Sequence, residues 1–441
     1  MPTSRMRLTG STATEIAASF ESRLHSGGAA PGDGLPTVRE LARTLGVSPA
    51  TVAAAYRQLR ARGLTTGSGR RGTRVAPRPP VPAAAGGPRV PDGTVDLASG
   101  NPDPALLPPL EPAIKALHAD AVLYDSVPAD KGFLTFAAAE FEADGIPSRA
   151  TAVVSGALDA IERILREYLR AGDPVAVEDP SFPGVIDLVR ASGFVPSPLA
   201  LDEHGPRPDA VAEALGKGCR AIVITPRAQN PTGSVIGEDR AAGLRRMLRR
   251  FPDVVLIEND HAAPIAGAPI FPLRTDPRAR WAVIRSTSKF LGPDLRVAVM
   301  AGDELTVSRV RGRQALGTRW VSHILQQLAL ALWSDPASGR RLARAAEMYT
   351  QRRQALRAAL ASRGIEVHAL SGFNVWVPVR DEGRVVSALA DRKWAVMAGE
   401  RFRIRSGPAI RVTASTLDPS DAGRFAADLA EALRPSRSTL A

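Results

Sequence analysis

Residues 35–64 read LPTVRELARTLGVSPATVAAAYRQLRARGL, and the spacing of their apolar positions decides the fold of the N-terminal part of the chain. Pro36-Thr37 opens a helix whose Val38, Leu41, Ala42 and Leu45 share one face, the recurrence of an amphipathic helix. Gly46 stops it, because a residue without Cβ takes positive φ at no steric cost. Ser48 caps the next helix, with Pro49 in its first turn where the missing N–H costs nothing, and Val52, Ala55, Tyr56 and Leu59 line its inner face. Two short helices joined by a tight glycine-containing turn have the form of a helix-turn-helix. On the N-terminal side, residues 12–25 bring Ile16, Phe20 and Leu24 round every four positions, a further helix. On the C-terminal side, LTTGSGRRGTRVA at 64–76 reads as two short strands around a basic, glycine-rich tip, a β-wing.

Charge is placed to suit this reading. Residues 1–80 hold 12 Arg, no Lys and 4 acids, so they carry +8 of the chain's net +12. Cations concentrated on one short segment point to a polyanion partner. The second helix of such a motif presents its N-terminal side chains to base edges and its amides to phosphates, which nominates Ser48 and Thr51 as contacts to double-stranded DNA. Arg39 and Arg57 are placed to reach the DNA backbone and Arg70 and Arg71 a minor groove, and Tyr56 and Thr73 complete the candidate set. These residues, with GSGRRGTRV behind them, resemble the winged helix-turn-helix of GntR-type bacterial transcription regulators over most of residues 12–75. Many members carry basic or polar residues where this chain has Pro49 and Ala53, so base reading is expected to lean on Ser48, Thr51, Arg39 and the wing.

The remaining organisation follows from composition. At roughly 100–200 residues per domain, 441 residues leave room for several domains, and 44% hydrophobic with 23% charged residues excludes wholesale disorder and coiled coil. Residues 76–93, APRPPVPAAAGGPRVPDG, hold six Pro and three Gly and read as a semi-rigid linker. The expected division is a head at 1–75, a linker at 76–94 and a body at 95–441, with a smaller subdomain from about 335 to 441. Cys219 is the only cysteine, which excludes an internal disulfide and a thiolate-cluster metal site, and no metal is expected. No apolar run reaches membrane-spanning length and the N-terminus lacks an apolar signal core, so a cytoplasmic protein without membrane attachment is expected.

In the body, short β-branched runs alternate with helical stretches: Ala152–Val154, Pro174–Val177, Ala221–Thr225, Val254–Glu258, Trp281–Ser286 and Val297–Ala301. That alternation predicts an α/β layer with a mostly parallel sheet. Ile365–His368, Phe373–Val379, Trp394–Met397 and Ala409–Val412 predict a smaller α+β subdomain. The main chemical signal is RSTSKFLGPDLR, 285–296. Lys289 is one of five lysines against 52 arginines, and a lysine amine held close and desolvated condenses with an aldehyde. Ser286, Ser288 and Arg296 around it suit a phosphate ester. Ser155-Gly156-Ala157 lies between a strand and a helix, where backbone N–H groups and the helix dipole favour an anion. Phe182 follows a strand and can stack on a planar ring, Asn230 in TPRAQNPTG can donate to a phenolic oxygen, and VVLIENDH, 254–261, ends a hydrophobic strand in acids.

In this order and spacing, those segments resemble fold-type I pyridoxal-phosphate enzymes of the aminotransferase superfamily from about residue 95 onward, and with the head the chain resembles a MocR-type regulator. The resemblance implies a DNA-binding head and an aminotransferase-like body holding pyridoxal 5'-phosphate. It also implies a homodimer that responds to the cofactor or to a small amine or amino-acid effector. Carried over by motif, Lys289 would form the Schiff base, Gly156, Ala157, Ser286 and Arg296 would hold the phosphate, Phe182 would stack and Asn230 would contact the ring oxygen. Arg411 in AIRVTAS matches the arginine that binds a substrate carboxylate; as a bare residue it reads equally as a surface charge.

Two departures bear on turnover. The family's strand ends in two acids, the first of which serves the pyridine nitrogen, and here the pair is Asn259-Asp260. Adjacent strand residues point to opposite faces, so only one of them meets the ring. The usual tyrosine is absent, with His261 and Ala262 in its place; His261 either substitutes as a ring-oxygen partner or is a satisfied polar group. Both departures favour a sensing body over the alternative, a working aminotransferase with an appended DNA-binding head.

Overall fold

The computed structural model describes residues 8–25, 29, 32–61, 64–67, 72–76, 90–117, 120–124, 126–274 and 279–434. Linker residues 77–89 and the wing-tip Arg70 and Arg71 lie outside the described residues. Residues 1–86 group with 170–174 and 187–196 as one compact unit, and the rest of the chain forms a second.

The head contains α1 (Ala13–His25), α2 (Val38–Leu45), α3 (Pro49–Ala61), β1 (Thr65–Thr66) and β2 (Arg74–Val75). Thr37 starts α2 with a reciprocal cap: its Oγ1 accepts the Glu40 N–H at 3.2 Å, and Glu40 Oε2 accepts the Thr37 N–H at 2.9 Å. Gly46 ends α2 at φ 68°. The Ser48 hydroxyl accepts the Thr51 N–H at 3.1 Å, the cap foreseen for α3. Ile16, Phe20, Val52, Ala55 and Leu59 are fully buried between the helices. Burial of side chains of this kind, at about 1.5–3 kcal/mol for each large one, holds the three together. β1 and β2 pair antiparallel as the wing.

Beyond the linker the chain forms β3 (Val95–Leu97), followed by β4 (Thr151–Val154), β5 (Pro174–Asp179), β6 (Val195–Asp202), β7 (Gly205–Pro206), β8 (Ala221–Ile224), β9 (Val255–Asn259), β10 (Trp281–Ser286) and β11 (Ala298–Gly302). Eight of these form one sheet in the order β4-β11-β10-β9-β8-β5-β6-β7. β5, β8, β9 and β10 run parallel, and β11 is antiparallel to both its neighbours. Every residue of β4, β8, β9, β10 and β11 is buried, as a sheet covered on both faces requires. The helices are α4 (Leu110–Lys115), α5 (Lys131–Ala143), α6 (Ala157–Tyr168), α7 (Pro183–Ala191), α8 (Pro208–Gly216), α9 (Glu238–Leu248), α10 (Glu304–Ala315) and α11 (His323–Ser334). The six strands expected here are present within two residues; β6 was missed because Pro196 and Pro198 read as strand breakers and fit only near a sheet edge.

The 26-residue α12 (Pro336–Ala361) leads into β12 (Asn374–Pro378), α13 (Glu382–Ala390), β13 (Trp394–Ala398), β14 (Ala409–Thr413) and α14 (Ala422–Leu433). The small sheet has the order β12-β14-β13-β3. Its fourth strand therefore comes from the start of the body, β3 lying parallel to β13, so the smaller layer is not C-terminal alone. Ile365–His368, expected as a strand, is not one. Val367 is buried without a ladder, and the amides just beyond it, Leu370 and Ser371, both donate to the Gly233 carbonyl instead of to a neighbouring strand.

Candidate functional site

The C-terminal ends of parallel strands are where open α/β sheets bind ligands, and β8, β9 and β10 bring their ends together here. Thr287 fixes the turn after β10: its N–H and hydroxyl both donate to the Val297 carbonyl, at 3.1 and 2.8 Å. This turn presents Lys289, whose Nζ donates to the Gly100 carbonyl at 2.7 Å. Burial, with the Arg411 guanidinium adding to it, pushes the Lys289 amine down to about 8. The Ser286 hydroxyl donates to Ser288 Oγ at 3.1 Å beside it.

A second cluster forms at the start of α6. Gly156 caps that helix at φ 103°, and a Cβ there would lie 2.8 Å from Arg296 Nη2. That φ favours glycine, and the missing Cβ leaves the guanidinium its present place. Arg296 itself is held at φ 49° and its Nη2 donates to the Ser155 carbonyl at 3.4 Å. A helix N-terminus with a cation beside it, Ser155-Gly156-Ala157 facing Arg296, is an anion cradle. Phe182 is 41% exposed, a high value for a phenyl ring, with Gly184 giving it room: a Cβ there would lie 2.5 Å from the ring.

β9 separates the two residues left open by sequence. Asp260 is fully buried, and its carboxylate accepts from Arg227 Nε and Nη2, both at 2.8 Å, and from Arg285 Nε at 3.0 Å. Both guanidiniums also reach Asp144, at 3.1 and 2.5 Å. Burial alone would raise the Asp260 carboxyl, yet these two arginines hold it below the ordinary range. Asp260 is therefore committed to a structural ion cluster, which corrects its assignment as a cofactor contact. Asn259, on the opposite face, is buried with its Oδ1 unpartnered. His261 is pushed down to about 4 by burial and by the Lys289 charge, so its imidazole is neutral at physiological pH. Arg411, 3% exposed on β14, donates through Nη2 to the Ala98 carbonyl and through Nη1 to Asn230 Oδ1 at 3.4 Å. It is a buried charge, not a surface one, and burial lowers its guanidinium to about 10.

The structure thus brings Lys289, Arg411, Asn230 and the 98–100 backbone together by direct contact, and couples His261 to Lys289 electrostatically. Sequence reasoning missed Gly100, Arg227, Arg285 and Asp144. Arg285 and Arg227 stood inside motifs already singled out; their partner Asp144, 141 and 83 residues away, gave no local signal.

In the head, Arg39, Ser48 and Arg57 are exposed, and Thr51 and Thr73 are partly so. Tyr56 is a correction among the DNA candidates: it is buried, and its hydroxyl donates to the Pro36 carbonyl at 2.7 Å, so it packs α3 against the start of α2.

Comparison with known proteins finds two families along the chain. Residues 12–75 match the bacterial regulatory proteins of the gntR family, and residues 94–429 match the aminotransferase class I and II family. The vitamin B6 salvage pathway transcriptional repressor PtsJ of Salmonella typhimurium is 41% identical over 429 residues, 96% of this chain and 99% of that one. The chain belongs to the MocR-type regulators of the GntR superfamily. Among solved structures, LysN, the α-aminoadipate aminotransferase of Thermus thermophilus, shares the fold of the MocR-type body at 23% identity and TM-score 0.68, over 78% of this chain and 92% of that one. A multiple substrate aminotransferase from Thermococcus profundus does so at 21% and 0.70, with the same coverage.

A MocR-type regulator's body holds pyridoxal 5'-phosphate, the cofactor of the aminotransferase family. The residues fit it: the glycine cradle beside Arg296 suits the phosphate, the unpartnered Asn259 amide suits a ring edge, and Lys289 is an amine with a lowered proton affinity. No helix among the described residues is long and apolar enough to cross a membrane.

Proposed function

We propose that this regulator is a cytoplasmic homodimer that binds double-stranded DNA through Arg39, Ser48, Thr51, Arg57, Arg70, Arg71 and Thr73, and whose body senses a vitamin B6 vitamer or an amine that reacts with it. One observation carries the sensing half. Lys289 is kept as a reactive amine in a phosphate-binding pocket, while Asp260, the acid left near the ring position, is neutralised by Arg227 and Arg285. When bound, pyridoxal 5'-phosphate supplies an aldehyde for a primary amine and a ring that withdraws electrons in proportion to its protonation.

Lys289, lowered to about 8, has a substantial neutral fraction near physiological pH and is ready to be the Schiff-base residue. Ser286, Ser288, Arg296 and the Gly156-Ala157 end of α6 would hold the phosphate, and Phe182 would offer a face for the ring. Asn259 offers an amide where a carboxylate would hold a proton, so the pocket captures its ligand without strongly activating it. Neutral His261 and Asn230 would meet the phenolic oxygen, and Arg411 would hold the carboxylate of an amino-acid effector. The similarity to a repressor of vitamin B6 salvage supports the vitamer as the signal. A second copy of the chain is supported by an apolar surface: Val122, Trp320 and Ile324 line an open cavity, and the 76%-exposed Tyr124 sits edge-on to Trp320 at 5.9 Å.

The test pairs a spectrum with a DNA readout. Wild type given pyridoxal 5'-phosphate is expected to gain a visible absorbance band, absent in Lys289→Ala, and to change its affinity for genomic fragments that it selects. No band in wild type would overturn the reading. Rapid multiple turnover with common amino acids would favour the enzyme reading over the sensing one.

A further inference from the structure

Residues 96–103 carry the backbone from the small sheet across the pocket, and both ends are fixed. Leu97 is registered against Val396 of β13, and the Asp96 carboxylate accepts the Ala98 and Ser99 N–H groups at 2.8 and 2.9 Å. At the far end, the Asp103 carboxylate meets Arg352 at 2.9 Å, and its N–H donates to the Tyr349 hydroxyl at 3.0 Å. Between these anchors, three carbonyls point at side chains. Gly100 accepts from Lys289 at 2.7 Å, Ala98 accepts from Arg411, and Asn101 accepts from the Ser415 hydroxyl at 2.6 Å. Gly100 sits at φ +70°, and a Cβ there would lie 2.8 Å from Arg411 Nη1.

The two cations assigned to the ligand are thus already used by main-chain oxygens of one four-residue stretch. We propose that residues 98–101 are a strap that competes with the ligand for Lys289 and Arg411, so that filling the pocket releases the strap. This rests on the sensing reading given above. The strap continues directly from β3, the first strand of the body.

The chemistry makes the competition unavoidable. When the neutral Lys289 amine adds to an aldehyde, a C=N bond forms and both amine hydrogens leave with the carbonyl oxygen as water. A proton that the new nitrogen took up from solvent would be shared with the phenolate oxygen beside the aldehyde, a charged acceptor stronger than a neutral carbonyl. The Gly100 carbonyl then has no donor, and a buried carbonyl without one is costly. An effector carboxylate at Arg411 would displace the Ala98 carbonyl in the same way, leaving Ser415 as the only side chain still donating to a strap carbonyl.

The test is hydrogen exchange on the full chain, read on amides 98–101, with pyridoxal 5'-phosphate as the probe and its absorbance followed in parallel. Forming the band is expected to speed exchange there by roughly tenfold, the factor that accompanies loss of about one net hydrogen bond. Gly100→Ala, strained by its φ and crowding Arg411, is expected to show fast exchange without vitamer. If that variant does not fold, Ser415→Ala, which removes the clasp on Asn101, is expected to shift in the same direction. A band with unchanged exchange at 98–101, or either folded variant exchanging like wild type, overturns the strap while leaving the sensing reading intact. Absence of the band overturns both.

Discussion

Two charge clusters lie at the carboxyl ends of the central strands, and they are built in opposite ways. The first, Asp144, Arg227, Asp260 and Arg285, pairs two acids with two arginines, and each guanidinium reaches both carboxylates. The second, Lys289 and Arg411, has two cations and, among the described residues, no carboxylate within ion-pair distance of either; main-chain carbonyls stand in. A closed cluster holds elements in place. A cationic pair whose hydrogen bonds all go to neutral oxygens, with Asp96 acting on Arg411 only through space, can receive an anion, and the pocket around it fits an aldehyde bearing a phosphate. Asn259 and Asp260 mark the border between them, one residue apart on opposite faces of the strand's end.

The largest effect is expected in the closed cluster. Asp260→Ala leaves two buried guanidiniums short of an acid and is expected to cost about 3–5 kcal/mol. Asn259→Ala, which removes an amide with an unpartnered oxygen, is expected to cost much less. Denaturant unfolding of both variants checks this, and equal losses would mean that the two faces are not different in kind.

The open cluster gives the next effect. An unfolded lysine binds its proton up to about 10.5, whereas Lys289 in the folded chain gives it up near 8. Between those values the unfolded state holds more protons, so stability is expected to rise with pH across that window and to be at its lowest contribution below it. Lys289→Met should flatten this slope when unfolding is followed from pH 7 to 10. Asn259→Asp sharpens the contrast chemically. A carboxylate facing the ring would keep its nitrogen protonated, and slow conversion of added amino acids is expected to appear where wild type shows little. The smallest effect lies in the head: Thr37→Ala removes one half of the α2 cap and is expected to cost about 1 kcal/mol, read as a lower unfolding midpoint.

The head was legible from sequence because its determinants are local. Thr37, Gly46 and Ser48 each act on a residue within a few positions, and the periodic Val52, Ala55 and Leu59 are the buried face. Tyr56 was misjudged as a DNA contact although the same periodicity had placed it inward. In the body, strand runs and the SxSK and SGA motifs were readable because they too are short. Lost were contacts whose partners are far apart in the chain: Lys289 with Gly100 across 189 residues, and Arg411 with Ala98 across 313. β3 joining β13 belongs with them, since nothing in VDL foretells which sheet it will complete.

The central claim is that Lys289, among five lysines, is the amine that captures the vitamer. Borohydride reduction of the protein with pyridoxal 5'-phosphate, followed by peptide mapping, tests it directly. The phosphopyridoxyl group is expected on Lys289 alone at stoichiometric vitamer. Labelling spread over Lys115, Lys131, Lys217 and Lys393, or no stable adduct at all, would contradict it.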